Sequence, residues 1–134
     1  MKRSLCLGLF IVCFLGLTAS AQAVTANFQG SCVWNPSYTQ IYCSFDATLP
    51  SSSPSSCNNG ATPYFFWNYG DGSPGTWTYS ATASHIYNPP PAGQYGYTVS
   101  LSVYCPEGST TANRPLCISG IGYPGCIFLG GGWY

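Results

Sequence analysis

Charge is almost absent from this chain. Its 134 residues include three Lys or Arg and three Asp or Glu, 4% in all, against roughly a quarter in an ordinary soluble domain. Lysine occurs only at position 2 and arginine only at positions 3 and 114. Nothing here can neutralise a run of phosphates, so nucleic acid is excluded as a partner. Long amphipathic helices need a charged face and are excluded for the same reason. Three carboxylates (Asp46, Asp71, Glu107) and one histidine (His85) leave paired-acid hydrolysis without its groups. No nucleophile elbow occurs either, and the expectation is a protein that is not an enzyme. There is no C-x-x-C pair and no histidine spaced as a partner ligand, so no metal site and no cofactor are expected. What the chain does have is 16% aromatic residues, 16 Gly, 11 Pro, 8 Cys and 46% hydrophobic residues. That composition argues against charge-rich disorder and for a small, turn-rich, all-β domain.

The first 23 residues read as a signal peptide rather than as part of that domain. Met1-Lys2-Arg3 is a basic start, residues 5–17 are apolar, and Ala19-Ser20-Ala21 and Ala21-Gln22-Ala23 both fit the small-x-small cleavage pattern. The apolar run is too short to span a bilayer, which takes about 20 residues. Cleavage near Ala23 leaves residues 24–134, with no lysine and no candidate membrane span. The expected location is secreted or extracellular, or else periplasmic or on the cell surface. Six cysteines survive cleavage: Cys32, Cys43, Cys57, Cys105, Cys117 and Cys126. An even number in a small exported chain reads as disulfides.

Short alternating runs bounded by Pro, Gly and Asn clusters predict strands. They are residues 24–28; 40–46, with Ile41, Cys43 and Phe45 on one face; 63–69, with Phe65, Trp67 and Tyr69 on one face; 76–83, with Trp77 and Tyr79 together; 84–87; 97–103, a strict period of two; and 114–118. Trp34-Asn35-Pro36-Ser37-Tyr38 and Gly70-Asp71-Gly72-Ser73-Pro74-Gly75 are turns, and residues 49–62 are a Ser-rich loop. Seven short strands at this spacing predict an immunoglobulin-like β-sandwich.

Four segments in order resemble the PKD (polycystic kidney disease) domain family. They are Phe45-Asp46-Ala47-Thr48, Trp67-Asn68-Tyr69-Gly70-Asp71-Gly72, His85-Ile86-Tyr87 and Tyr97-Thr98-Val99-Ser100-Leu101-Ser102-Val103. Asn68 stands where the family's signature has its first Asp. The resemblance covers roughly residues 26–118, which gives a PKD-like sandwich domain over 24–118 and a Gly- and aromatic-rich tail over 119–134. It implies a seven-stranded, non-catalytic interaction module. Trp67, Gly70, Asp71, Gly72, His85, Tyr87 and Tyr97 then become structural motif positions. Trp67 is a core ring, Asp71 a turn acceptor, His85 a strand-end partner, and Tyr97 or Tyr95 a tyrosine corner.

The remaining aromatics exceed what so small a core can hold. Trp34, Tyr38, Trp77, Tyr79 and Trp133 are therefore candidate ligand-binding rings, able to stack on sugar faces or on apolar partner surface. For Trp77 and Tyr79 the alternative is a place on the inner face of the second sheet. The expected partner is an extracellular protein or a polysaccharide, and the expected function is a secreted binding module. The alternative is a structural or adhesive component of a cell surface or matrix. A hairpin about residues 36–39 would set Cys32 opposite Cys43. In the expected sandwich the ends of the second and sixth strands meet at one pole, which pairs Cys57 with Cys105 and leaves Cys117 for Cys126. The rival is Cys43–Cys105 across Trp67.

Overall fold

The computed structural model describes residues 24–91 and 96–117. Seven strands form two antiparallel sheets, and no helix occurs among the described residues. The strands are β1 (Gln29–Trp34), β2 (Ile41–Asp46), β3 (Tyr64–Asn68), β4 (Thr76–Thr78), β5 (Thr82–Tyr87), β6 (Gly96–Cys105) and β7 (Gly108–Cys117). One sheet runs β1-β2-β5 and the other β4-β3-β6-β7. The chain changes sheet between β2 and β3, between β4 and β5, and between β5 and β6. These crossovers close a sandwich of the expected all-β class.

Alternation builds the core. Ile41, Cys43 and Phe45 of β2 face Phe65 and Trp67 of β3, and Val99, Leu101 and Val103 of β6 complete the layer with Tyr87 and Leu116. Trp67 is fully buried. Its indole meets Phe28 edge-on at 5.3 Å and stacks on Phe45 at 5.7 Å. Each such side chain contributes about 1.5–3 kcal/mol by leaving water, and no charged group is buried among them. Arg114 covers one side of this core. Its guanidinium lies 5.8 Å from the Phe28 ring centroid, and its Nη2 donates to Asn27 Oδ1 at 2.6 Å.

Strand boundaries depart from expectation at three places. Residues 24–28 are not a strand. Thr25 makes an isolated bridge to Ser56, while the Asn27 amide donates to Ser55 Oγ and the Ser55 hydroxyl donates back to the Asn27 carbonyl. The first strand begins at Gln29 instead and takes in Trp34, because it is registered on β2 through the whole length of that strand. The run 76–83 breaks at Ser80, whose side chain and amide bond to its neighbours, and β5 starts at Thr82 on the other sheet. The last strand begins at Gly108, well before Arg114, because β6 continues to Cys105 and turns directly into it.

Cys32 and Cys43 are directly opposite in the β1–β2 register and form a disulfide with a Cα–Cα separation of 4.1 Å. Cys57 and Cys105 form the second, at 5.6 Å. The Cys43–Cys105 alternative is excluded. Cys126, Trp133, Tyr95 and the tail lie outside the described residues, as do residues 1–23. Two disulfides fit an extracellular or otherwise oxidising environment, and no helix of the described residues is long and apolar enough to cross a membrane.

Candidate functional site

Two places gather the chemistry-bearing side chains. The first is the turn after β3. Gly70 has φ +78°, and a Cβ there would collide with the Thr98 carbonyl, so only glycine permits this approach to β6. The Gly70 amide donates to Asn68 Oδ1 at 2.9 Å, so the amide side chain serves as the turn's acceptor. Asp71 then accepts from the Ser73 amide at 3.1 Å and the Ser73 hydroxyl at 2.5 Å, and its Oδ2 lies 2.7 Å from His85 Nε2. The His85 ring lies flat on Tyr69 at 4.0 Å and meets Tyr87 edge-on at 4.6 Å. Tyr87 stacks on Tyr97, and its hydroxyl donates to the Tyr69 carbonyl at 3.0 Å. Tyr97 donates to the Asn88 carbonyl at 3.1 Å, the upstream backbone bond of a tyrosine corner.

This cluster contains Ser, His and Asp, but its geometry is wrong for a nucleophilic triad. A triad uses both ring nitrogens, the carboxylate on one and the nucleophile on the other. Here the Asp71 carboxylate and the Ser73 hydroxyl (3.4 Å) both meet Nε2, and Ser73 already donates its proton to Asp71. What the arrangement does is clasp the β3–β4 turn of one sheet to β5 of the other. Partial burial acts against the charge on Asp71, yet hydrogen bonds from Ser73 and His85 outweigh it and hold the carboxyl below its usual range. Burial raises the phenols of Tyr87 and Tyr97, so both stay protonated donors.

The second place is the outer face of the four-stranded sheet. Because Phe65 and Trp67 point inward, Tyr64 and Phe66 point out. Phe66 is registered on Trp77 of β4 and Tyr64 on Tyr104 of β6. The rings are in contact: Phe66–Trp77 at 4.5 Å, Tyr64–Trp77 at 5.2 Å, Tyr64–Tyr79 at 4.5 Å and Trp77–Tyr104 at 5.3 Å. Trp77 is 50% exposed, Tyr79 68% and Tyr104 40%. Beyond the rings, the same face continues across β6 and β7 with Ser102 opposite Thr111, their hydroxyls 2.8 Å apart, and Ser100 opposite Asn113. Asn68, registered on Ser100, adds an amide.

Of the expected ligand-binding rings, Trp77 and Tyr79 thus meet in one site and on the outside, which corrects the alternative that they line the inner face. Tyr38 and Trp34 sit elsewhere, on the β1–β2 hairpin. Tyr38 is exposed, and Trp34 is partly buried against the core. Tyr64, Phe66 and Tyr104 are not among the expected rings, although each is the outward neighbour of a residue whose inward parity is evident. The Cys57 and Cys105 sulfurs and a Glu107 carboxylate oxygen also converge. Both sulfurs are committed to the disulfide, and Glu107 accepts from the Asn58 amide at 2.7 Å, so no thiolate donor set exists there.

The fold and this face define a disulfide-linked seven-stranded β-sandwich with an open aromatic surface. No family model matches the chain, and neither a curated protein nor a solved structure matches it.

Proposed function

We propose that the chain is an exported, non-catalytic, PKD-like binding module that holds carbohydrate on the outer face of its four-stranded sheet. One observation carries this reading. A contiguous cluster of Tyr64, Phe66, Trp77, Tyr79 and Tyr104, which nothing among the described residues covers, stands beside a strip of neutral hydroxyls and amides. Aromatic rings take the apolar faces of sugars, and the neighbouring polar groups satisfy the hydroxyls at their rims. Export is supported by the basic, apolar and small-x-small order of residues 1–23, and agrees with the disulfides. The absence of catalysis is supported by the convergence of Asp71 and Ser73 on one nitrogen of His85.

The test is depletion of the protein from solution by a panel of insoluble polysaccharides, with Trp77→Ala and Tyr79→Ala alongside. Binding that both variants lose while remaining folded, with a thermal midpoint within several degrees of the parent's, is the expected result. Binding to no polysaccharide, or binding indifferent to both substitutions, overturns the reading. Sequencing of the N-terminus of exported protein tests the leader, with a start between Ala21 and Val24 expected.

The second reading, a structural or adhesive component, is favoured by one observation on the opposite surface. Val33, Tyr42 and Ile86 are exposed in a single cross-strand row of the three-stranded sheet, flanked by Ser31, Ser44 and Ser84. Self-association that depends on Tyr42 would support it over carbohydrate binding.

A further inference from the structure

Resting on the carbohydrate reading, we infer that the face selects neutral polysaccharides and excludes charged ones, and that the bound chain lies across the strands from β4 to β7. Three observations converge on this.

The first is where the charges are. Four side chains among the described residues carry a carboxylate or a guanidinium, and none of the four stands on this face. Asp46 ends β2 on the other sheet, and Asp71 is turned to His85. Glu107 lies in the β6–β7 turn and accepts from Asn58. Arg114, the only cation of permanent charge among the described residues, is registered on inward-facing Val99 and folded over Phe28. A uronate or sulfate laid on the rings would give up hydration and meet no cation, a loss without compensation. A neutral pyranose gives up only hydroxyl hydration, which the face can replace.

The second is the division of labour across the sheet. One register row reads Trp77, Phe66, Ser102, Thr111 from β4 to β7, and the next reads Tyr64, Tyr104, Ser109 from β3 to β7. Both change from aromatic to hydroxyl in the same direction. Four strands at a spacing of about 4.8 Å make a strip roughly 14 Å long in that direction. A chain lying along it would stack its sugars on the rings at the β4 end and hydrogen-bond their rims at the β7 end. Rings and polar groups also succeed one another along β3 (Tyr64, Phe66, Asn68) and along β6 (Tyr104, Ser102, Ser100), but a chain lying along either strand would reach Trp77 at one edge or the β7 hydroxyls at the other and not both.

The third is openness. β4 is a three-residue edge strand, and Trp77 on it and Tyr79 just beyond it are each half or more exposed, so the aromatic end of the strip opens to the side as well as outward.

The experiment measures depletion of the protein by crystalline β-glucan, chitin and an insoluble α-glucan, and affinity electrophoresis in gels containing a polyuronate or a sulfated galactan. The parent is expected to bind at least one neutral polymer, with little change in about half-molar salt where surface charge pairs are screened. Binding to the charged polymers is expected to be at least about tenfold weaker, the equivalent of 1.4 kcal/mol. Thr111→Lys and, at the β7 end of the neighbouring row, Ser109→Lys each supply the missing cation, and each is expected to add salt-sensitive polyuronate binding. Equal binding of charged polymers through Trp77, or two folded Lys variants that gain nothing, overturns the inference and leaves the carbohydrate reading standing. Binding to no polymer, binding independent of Trp77, or a dimer that Trp77→Ala dissociates overturns both, the last because a second copy would then cover the face.

Discussion

Both faces of the four-stranded sheet carry large aromatic rings, and the rings stand in opposite surroundings. β3 reads Tyr64-Phe65-Phe66-Trp67. Phe65 and Trp67 are sealed between the sheets, whereas Tyr64 and Phe66, one residue away along the same strand, belong to a surface open to solvent. Trp67 and Trp77 make the contrast sharpest. The first is fully buried against Phe28 and Phe45, and the second is half exposed against Phe66 and Tyr104. A second sheet lies over one face and nothing among the described residues lies over the other. Aromatic content alone therefore says little about binding in such a domain. Strand parity decides which rings hold the fold and which are left to meet something else.

The severest way to break this comparison is Trp67→Ala. A fully buried indole leaves a large cavity, and the expected loss is about 3–5 kcal/mol, a large part of the roughly 5–15 kcal/mol that keeps a domain folded. Denaturant titration checks it. A loss no larger than that from Trp77→Ala would mean that the inner rings are not the ones that hold the sandwich together.

Next in size is the double variant Cys57→Ala with Cys105→Ala. The disulfide fastens the Ser-rich loop to the end of β6, beside Tyr104 of the outer face. Its removal is expected to cost about 2–4 kcal/mol, since it closes a loop of sequence separation 48. The outer face is expected to survive wherever the fold does. Thermal unfolding with and without the bridge, and polysaccharide depletion well below the midpoint, separate the two effects.

Asp71→Asn sharpens the comparison from the side of the clasp, which ties the two sheets together without touching the outer rings. Asparagine cannot accept as strongly from Ser73 and His85, and a loss of roughly 1–3 kcal/mol is expected near neutral pH. The sign with pH follows from the lowered carboxyl. Its contribution is fully present above the ordinary carboxyl value of 3.8 and is lost as pH falls below that value through the folded one. The parent's thermal midpoint should therefore drop more steeply through this acid range than that of Asp71→Asn. Parallel curves would show that Asp71 has no part in acid stability.

How much of the fold and of the site is legible in the sequence follows the same rule of parity. Residues 40–46 and 97–103 alternate apolar with small polar groups, so their inward faces are plain from the residues alone. The hairpin that sets Cys32 against Cys43 is equally plain from the turn residues between them. β7 is legible only at its end, because the residues it turns inward before Leu116 are Thr110, Ala112 and Arg114, which show no apolar period. β1 is hidden for a related reason, since Gly30 and Ser31 carry no pattern and Trp34 adjoins turn-forming residues. For Trp77 and Tyr79 the alternation in Thr76-Trp77-Thr78-Tyr79 is the same whichever face is buried. The long-range register that sets Trp77 against outward Phe66 settles it. The Asp71–His85 bond likewise joins two sheets, and no local spacing encodes it.

The smallest expected change in stability comes from Trp77→Ala, and it is the variant on which the comparison turns. Trp77 is a cross-strand neighbour of Phe66 and touches Tyr64 and Tyr104. Such pairs contribute about 0.2–1 kcal/mol each relative to alanine, but half of the ring already faces water. The net loss on unfolding should stay under about 1 kcal/mol, a fraction of that from Trp67→Ala. Polysaccharide binding should fall while the fold is unchanged, because the substitution takes the widest ring from the centre of the outer cluster. A loss of stability comparable to that at Trp67 would show that the outer cluster is a second core. A small loss with binding intact would show that the rings are exposed for some other purpose. A small loss with binding abolished assigns stability to one face of the four-stranded sheet and recognition to the other.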